Sequence, residues 1–341
     1  MRKQDRISLR KITIALLVLL NMDPLSAQLL PTVRFVRYDT LSYDRITPKG
    51  QGRVGGLSAI EYISSDSILL VSDHDGSSGP SYIFVMNAQR QLGQAREFNG
   101  LRNVESLRYH PGLKRFYVSV EGGNSTGIRY LQGDEIRSVF KMNIPEPGIT
   151  SKNRGIEGMT FSNDGALWAA FESGDANCER GTVPFYKIPL TNGEYNIADK
   201  RVFQYPIDRC SCLTGQSFDG DAGNGVSEIL AIKEDTASLL VLERCYNPNT
   251  HRTTIDLWMA TVPQQGNVFT KKRLFKFNDT SQFPPEYRSF FPDNLEGMCW
   301  GPANADGSLT LYLVSDDNFQ SIQRTQIIEL HLWWPSGDRR Q

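Results

Sequence analysis

The sequence predicts an all-β chain closed into a single β-propeller of five to seven blades, with six as the central figure. Three observations carry that prediction. A strand–turn–strand pattern recurs five times along the chain, the 29 Gly and 17 Pro among 341 residues suit many short strands joined by turns, and a spare strand at each end can close a ring.

The first unit joins Gly55-Gly-Leu-Ser-Ala-Ile to Leu-Leu-Val-Ser-Asp73 across a turn at Ser64-Ser-Asp66. The second joins Asn103-Val-Glu-Ser-Leu to Tyr-Val-Ser-Val-Glu121 across His110-Pro-Gly112, and the third joins Arg154-Gly-Ile-Glu-Gly-Met to Trp-Ala-Ala-Phe-Glu172 across Asn163-Asp-Gly165. In the fourth, Gly225-Val-Ser-Glu-Ile-Leu leads through Glu234-Asp235 to Leu-Leu-Val-Leu-Glu243; in the fifth, Asp293-Asn-Leu-Glu-Gly-Met leads through Ala305-Asp-Gly307 to Leu-Tyr-Leu-Val-Ser-Asp316. The turns are rich in Asp, Asn, Gly and Pro, which tolerate or preset the backbone angles that tight reversals need. Each second strand ends in an acid.

The spacing from the first marked position to that acid is 15 (Ser58 to Asp73), 16 (Glu105 to Glu121), 15 (Glu157 to Glu172), 15 (Glu228 to Glu243) and 20 (Glu296 to Asp316, which holds an insert). Successive units begin 47, 52, 71 and 68 residues apart, room for one or two outer strands such as Tyr82 to Met86 and Phe185 to Ile188. A four-stranded sheet repeated around an axis is a propeller blade. Thr32 to Tyr38 and Gln326 to Leu332 are the terminal strands that would close the ring.

Ahead of this stands a basic stretch, an apolar run from Ile12 to Leu20, and Pro24-Leu25-Ser26-Ala27-Gln28. That order is a secretory signal, expected to be cut after Ala27, with residues 28–341 forming the propeller domain. The run is too short to span a bilayer, so the exported protein, periplasmic or secreted, is expected to keep no stable membrane span. The leader carries five basic and two acidic residues out of 37 and 38, so the mature chain shifts from a charge of −1 to about −4. A near-balanced chain, 39% hydrophobic, buries a real core and excludes a disordered tail and a basic nucleic-acid binder. Cys178, Cys210, Cys212, Cys245 and Cys299 are an odd set for an oxidising compartment, so one or two disulfides leave at least one thiol over.

In an antiparallel hairpin the start of one strand and the end of the next lie together. If the repeated hairpins are the inner pairs of the blades, Glu105, Glu157, Glu228 and Glu296 join Asp73, Glu121, Glu172, Glu243 and Asp316 at one rim, with Asp75, Asp317 and Asn318 beside them. Such like charges need protonation, the flanking Arg53, Arg154, Arg180 and Arg244, or a divalent cation. An all-oxygen set favours Ca²⁺, with Mg²⁺ second, over zinc.

Other motifs carry less. Gly50-Gln-Gly52-Arg-Val-Gly55 spells G-x-G-x-x-G, but a strand rather than a helix follows. Ser58 lacks the second Gly of a nucleophile elbow. Asp219-Gly-Asp221 resembles half a calcium loop without its distant Glu. His74 is the one histidine at the rim, available as an acid or base or simply an exposed turn residue. Asn124-Ser-Thr126 is a glycosylation sequon if the host glycosylates.

Asn153-Arg-Gly-Ile-Glu-Gly-Met-Thr-Phe-Ser-Asn-Asp-Gly, Val226-Ser-Glu with Leu-Val-Leu-Glu-Arg244, and Asn294-Leu-Glu-Gly-Met with Leu-Val-Ser-Asp-Asp-Asn318-Phe together resemble the phytase-like, "esterase-like activity of phytase" domain of exported proteins. The resemblance runs from about Arg53 to Phe319. It implies a hydrolase of phosphate esters or phosphodiesters working at the acidic rim. Glu157, Glu296 and Asp316 are then expected at the reacting atoms, with Arg244 and Arg154 as phosphate contacts. Asp73, Glu105, Glu121, Glu172, Glu228, Glu243, Asp317 and Asn318 would be the ligands of one or two cations. The first unit departs from the family in having Asp73-His74-Asp75. The expected partner is a small ester or phosphate-ester substrate, with no nucleic acid, and the chain is expected as a monomer. Two other readings use the same rim: a non-catalytic propeller binding a ligand or partner around structural Ca²⁺, and lactonase-type propeller chemistry.

Overall fold

The computed structural model describes residues 30–41, 54–65, 67–74, 79–98, 100–121, 125–143, 155–172, 181–207, 223–233, 235–247 and 252–335, and Thr32–Trp333 form one compact unit. The predicted leader, Arg53, Asp75, Asn124, Arg154, Cys178, Arg180, Cys210, Cys212 and the stretch 219–221 lie outside the described residues. No described helix is long and apolar enough to cross a membrane.

Strand β1 (Thr32–Leu41) opens the chain. Four strands then form blade 1: β2 (Leu57–Ser64), β3 (Ser67–Ser72), β4 (Tyr82–Met86) and β5 (Leu92–Glu97). Blade 2 is β6 (Val104–His110), β7 (Arg115–Val120), β8 (Ser125–Gln132) and β9 (Glu135–Asn143). Blade 3 begins with β10 (Ile156–Phe161), β11 (Leu167–Phe171) and β12 (Thr182–Ile188). A small hairpin of β13 (Leu190–Thr191) and β14 (Glu194–Tyr195) precedes its last strand, β15 (Arg201–Pro206). Blade 4 is β16 (Gly223–Ala231), β17 (Ser238–Asn247), β18 (Arg252–Thr261) and β19 (Thr270–Lys276). Blade 5 is β20 (Asn294–Ala303), β21 (Leu309–Asp316) and β22 (Thr325–Trp333), and β1 adds the fourth, outermost strand by pairing with β22 from Thr32 opposite Trp333 to Leu41 opposite Thr325.

The propeller therefore has five blades, the low end of the predicted range. The terminal strands explain why there is no sixth: they complete the fifth blade instead of founding another. That mixed blade joins the two ends of the compact unit and leaves no open seam to pair with another chain.

Each second strand is apolar on both faces, as Leu69–Val71 and Leu167–Phe171 are, because it has a neighbouring strand on each edge and a neighbouring blade against each face. The first strands form the innermost ring: β2 touches β6, β6 touches β10, β10 touches β16, β16 touches β20, and β20 returns to β2. Cores fill the seams between blades. The largest runs through blades 2, 3 and 4, where Trp168 packs on Phe203 and Phe269, and Phe185 stacks on Tyr205 at 5.0 Å. Around the axis, the ring of first strands leaves a mouth at the end where they begin.

Candidate functional site

Every inner strand carries a β-bulge at the same place. Leu57 pairs with Ser72 and Ala59 with Val71, leaving Ser58 as the extra residue; the same slip leaves Glu105, Glu157, Ser227 and Glu296 extra in the other blades. Bulges re-aim side chains and recur beside active sites. The register also fixes which residues end the second strands at the mouth: Asp73, Glu121, Glu172, Arg244 and Asp316.

Blade 4 thus differs from the pattern read in the sequence. Glu228 lies one residue past the bulge and Glu243 one residue short of the strand end, inside rim positions that are themselves 17 apart (227 to 244), and side chains alternate along a strand, so both leave the rim face. Ser227 and Arg244 take their places. Ser227 Oγ donates to Leu295 O at 2.9 Å, a tie to blade 5. Glu243 instead accepts from Lys271 Nζ at 2.5 Å, Tyr205 Oη at 2.7 Å and Asn224 Nδ2 at 2.9 Å, joining blades 3 and 4.

The mouth gathers Asp73, Glu105, Glu121, Glu157, Glu172, Glu296 and Asp316. Arg244 is the cation that reaches in, its Nη2 3.2 Å from Glu172 Oε1 and 3.3 Å from Glu296 Oε1, while Nη1 donates to Asn294 Oδ1 at 2.8 Å. Asn294 Nδ2 donates in turn to Glu296 Oε1 at 2.6 Å. Gly155 N donates to Glu121 Oε1, and glycine is required there because a Cβ would strike that carboxylate and Thr126 Oγ1. A Cβ at Gly225 would stand 2.9 Å from Glu172 Cγ, so the next blade makes the same room for its neighbour's acid.

Glu105 and Glu157 make no hydrogen bond or ion pair with a described residue, although Glu157 is only 7% exposed. Burial, then the charges of Glu105, Glu121, Glu172 and Glu296, hold the Glu157 carboxyl well above its ordinary value. Glu105 rises for the same reasons, burial first and then Glu121 and Asp73. Burial and Glu296 raise Asp73 to about 7, and burial raises Glu121 to about 7 with help from Glu172 and Glu296. Asp316 also lies well above its ordinary range, from burial and Glu296. Burial raises Glu296 too, with Arg244 opposing it.

The floor of the mouth is Arg108, which the sequence reading did not pick out. Its guanidinium sits on the axis and donates to Leu107 O (2.7 Å), Met298 O (3.0 Å), Ile229 O (3.3 Å) and Ile60 O (3.4 Å), with Glu228 Oε2 at 2.7 Å and Glu61 Oε2 at 3.6 Å. By register those four carbonyls are equivalent positions of four different inner strands. A single side chain therefore plugs the channel. Glu228 belongs to this plug: burial pushes it up to about 7 against the pull of Arg108. The sequence did hold a signal, since Glu61 and Arg108 are charged residues at matching places in two inner strands, each three residues past the bulge.

Asp317 is a clasp. Its Oδ1 accepts from Gly56 N at 2.9 Å and Phe319 N at 3.0 Å, and its Oδ2 accepts from Thr325 Oγ1 at 2.9 Å, which fastens blade 5 to blade 1. Asn318 is exposed and donates its backbone N–H to Asp316 Oδ1 at 2.6 Å. His74 stands at this seam against Asp73, Nε2 to Oδ2 3.3 Å. Cys245 is disulfide-bonded and Cys299 is a buried free thiol.

Among the described residues no three His, Cys, Asp or Glu side chains are drawn together closely enough to hold a metal ion. The chemistry of the mouth nevertheless fits a divalent cation: its donors are hard oxygens, and two of its carboxylates, buried Glu157 and half-buried Glu105, have no partner among the described residues. Glu105, Glu157 and Asp316, with Asp73 and Glu296 beside them, are the residues that would hold it.

Fold and site together define a five-bladed β-propeller with an acidic hub whose channel is plugged by an arginine. The chain belongs to the phytase-like family, described as "esterase-like activity of phytase", whose model matches residues 52–319. No curated protein matches the sequence. Among solved structures it is similar to an endo-1,4-beta-xylanase from Bacteroides thetaiotaomicron VPI-5482, at a TM-score of 0.51 and 12% identity over 80% of this chain and 90% of that one. It is also similar to the catalytic domain of a GH62 alpha-L-arabinofuranosidase from Coprinopsis cinerea, at a TM-score of 0.50 and 10% identity over 89% of this chain and 97% of that one. At such identity these likenesses show the fold alone.

Proposed function

We propose that the protein is an exported hydrolase of phosphate esters or phosphodiesters that works at the acidic hub with a divalent cation, Ca²⁺ ahead of Mg²⁺. The observation that carries this reading is the pair of unpartnered carboxylates, buried Glu157 and half-buried Glu105, in a mouth where Arg244 already serves Glu172, Glu296 and Asn294. A bound cation supplies charge neutralisation, polarises a phosphoryl oxygen and acidifies water. Glu157, Glu296 and Asp316 are assigned to the reacting atoms. An ionised hub carboxylate takes a proton from water as the water oxygen bonds to phosphorus, the ester P–O bond breaks, and a protonated hub carboxyl returns a proton to the departing oxygen. In the cation-free hub burial and neighbouring acids raise Asp73 and Glu121 to about 7; a bound cation would favour the ionised form of the carboxylates that hold it, leaving those farther from it to carry the proton. Arg244 positions Glu172 and Glu296 rather than meeting phosphate directly, and Arg154 is left as the phosphate contact.

The engagement of both Arg244 Nη groups also favours a second reading, a non-catalytic propeller that binds a ligand at the same mouth around structural Ca²⁺; lactonase-type chemistry is a third. Purified protein assayed on p-nitrophenyl phosphate, bis-p-nitrophenyl phosphate, p-nitrophenyl acetate and a lactone, with and without Ca²⁺, separates the three. Cation-dependent turnover of the phosphate esters, lost in a Glu157→Ala/Glu296→Ala double variant, is the expected result. Equal rates for the two proteins across the panel would sink the catalytic reading.

A further inference from the structure

Outside the hub, blade 2 departs from the packing of the other blades at one position. In each blade the inner-strand residue two past the bulge lines up, through the second strand, with one residue of the third. The rows are Ile60–Leu70–Phe84, Met159–Ala169–Tyr186, Ile229–Val241–Trp258 and Met298–Leu313–Ile328. Phe84, Tyr186, Trp258 and Ile328 are large, apolar and buried. In blade 2 the row is Leu107–Val118–Arg129. An arginine therefore stands where every other blade has a bulky apolar side chain. Leu107 and Val118 belong to the apolar core between blades 1 and 2, and cross-strand partners share a face, so Arg129 lies on that face. A charge in such surroundings ordinarily has a partner. Arg129 is half-buried and makes no hydrogen bond, ion pair or ring contact with a described residue.

The sheet gives up further volume beside it. Gly127, two residues back on β8 and on the same face, is flanked by Val120 of β7 and Lys141 of β9, and a Cβ there would strike Phe140 O. On β9 the register slips at Val139, which sets Ser138 opposite Arg129. Missing bulk at both positions accompanies a cavity of about 260 Å³, whose walls include Val120, Gly127, Arg129, Ile136, Ser138 and Lys141. No described acid lines it. Lys141, like Arg129, makes no ion pair with a described residue. Two like charges on one cavity repel, and a negative group held between them turns that cost into attraction.

We propose that this cavity binds a doubly charged oxyanion, phosphate or sulfate, with Arg129 and Lys141 as its counter-charges and the Ser138 hydroxyl as a further donor. The Val120 and Ile136 walls suit a small apolar group attached to the ion. The site is distinct from the hub, whose carboxylates repel such an ion when no cation is bound, so the assignment does not rest on hydrolysis there.

Calorimetry on the full chain in EDTA at pH 8 and low ionic strength tests it, with sulfate, phosphate and phenylphosphonate as probes and acetate as the singly charged control. The wild type should bind each dianion saturably, one per chain, and acetate about tenfold more weakly. Lys141→Gln should lose about tenfold in affinity. Arg129→Phe, which copies the Phe84 position of blade 1, should fold with a Tm no lower than the wild type and bind no dianion. The hub variant Glu157→Ala/Glu296→Ala should bind as the wild type does. Phenylphosphonate bound more tightly than phosphate would assign the cavity to the phosphate end of a small organic molecule, and equal affinities would assign it to the free ion; either supports the site. No saturable binding by the wild type overturns the proposal whatever the variants do. So does a dianion that Arg129→Phe binds as tightly as the wild type, or one that the hub variant alone fails to bind.

Discussion

Replacing Glu157 by glutamine should stabilise the metal-free protein at alkaline pH. The carboxyl is 7% exposed, lacks a partner, and is held well above its ordinary value of 4.5 by burial and by four neighbouring acids. An acid whose proton affinity rises on folding costs stability above its unfolded value, and the cost vanishes as pH falls below that value. Each pH unit by which the folded carboxyl holds its proton more tightly than the unfolded chain costs about 1.4 kcal/mol at pH 8. Neighbouring carboxyls share the relief, so about 2 kcal/mol is the expected net gain, near 4 °C in Tm for a chain of this size. The glutamine amide can donate to the carboxylates around it, which keeps the variant from leaving an unmet donor. Thermal unfolding in EDTA at pH 8 and at pH 4.5 is the assay: the variant should melt higher at pH 8 and level with the wild type at pH 4.5. Adding Ca²⁺ at about 100 times its Kd should raise the wild type by up to about 2.7 kcal/mol and the variant by less, reversing their order. A variant that melts below the wild type in EDTA at pH 8 would show that Glu157 has a stabilising partner and refute the reasoning.

Arg108→Met should cost about 4 kcal/mol, because it strands Glu228, 0% exposed, and removes the donor shared by four axial carbonyls. Urea unfolding of Arg108→Met/Glu228→Gln should recover about half of that loss, and a double variant no better than the single one would contradict the pairing. Gly155→Ala should cost about 2 kcal/mol by driving a Cβ into Glu121 and Thr126 Oγ1. Because Glu121 must move, Ca²⁺ affinity measured by titration should fall along with Tm; an unchanged affinity would separate Glu121 from the cation.

Most of the fold was legible because hairpins write themselves into sequence. All five inner pairs are where the repeat placed them, and β4 spans Tyr82–Met86 as predicted. Blade number was less legible, since Thr32–Leu41 and Thr325–Trp333 are ordinary strands whose shared sheet depends on residues 284 (Leu41 to Thr325) to 301 (Thr32 to Trp333) apart finding one another. The site was legible in type and misread in blade 4. Glu228 and Glu243 satisfied the spacing rule, yet each sits one residue inside the rim position of its strand, and only the bulge at Ser227 and the pairing of Arg244 with Gly225 show it. Arg108 was missed because pattern reading looks for what repeats, whereas a plug on an axis is needed only once.

That single break in the pattern gives the hub its direction. Blades 2 and 3 each bring two acids to the mouth, Glu105 with Glu121 and Glu157 with Glu172, while blade 4 brings Ser227 and the cation Arg244. Arg244 spends its charge on Glu172 and on Glu296 of blade 5, so the carboxylates without partners are left on blades 2 and 3. Phe319 and His74 stand at the seam of blades 5 and 1, on the other side of the axis. A perfectly repeating ring of glutamates would be equally attractive to a cation from every side and would have no orientation to impose. Here Ser58 and Ser227 interrupt the ring of bulge residues and Arg244 interrupts the ring of strand ends. Because Arg244 answers acids of blades 3 and 5, the acids still unanswered among the described residues, Glu105 and Glu157, set the side from which a counter-charge is drawn most strongly, toward blades 2 and 3.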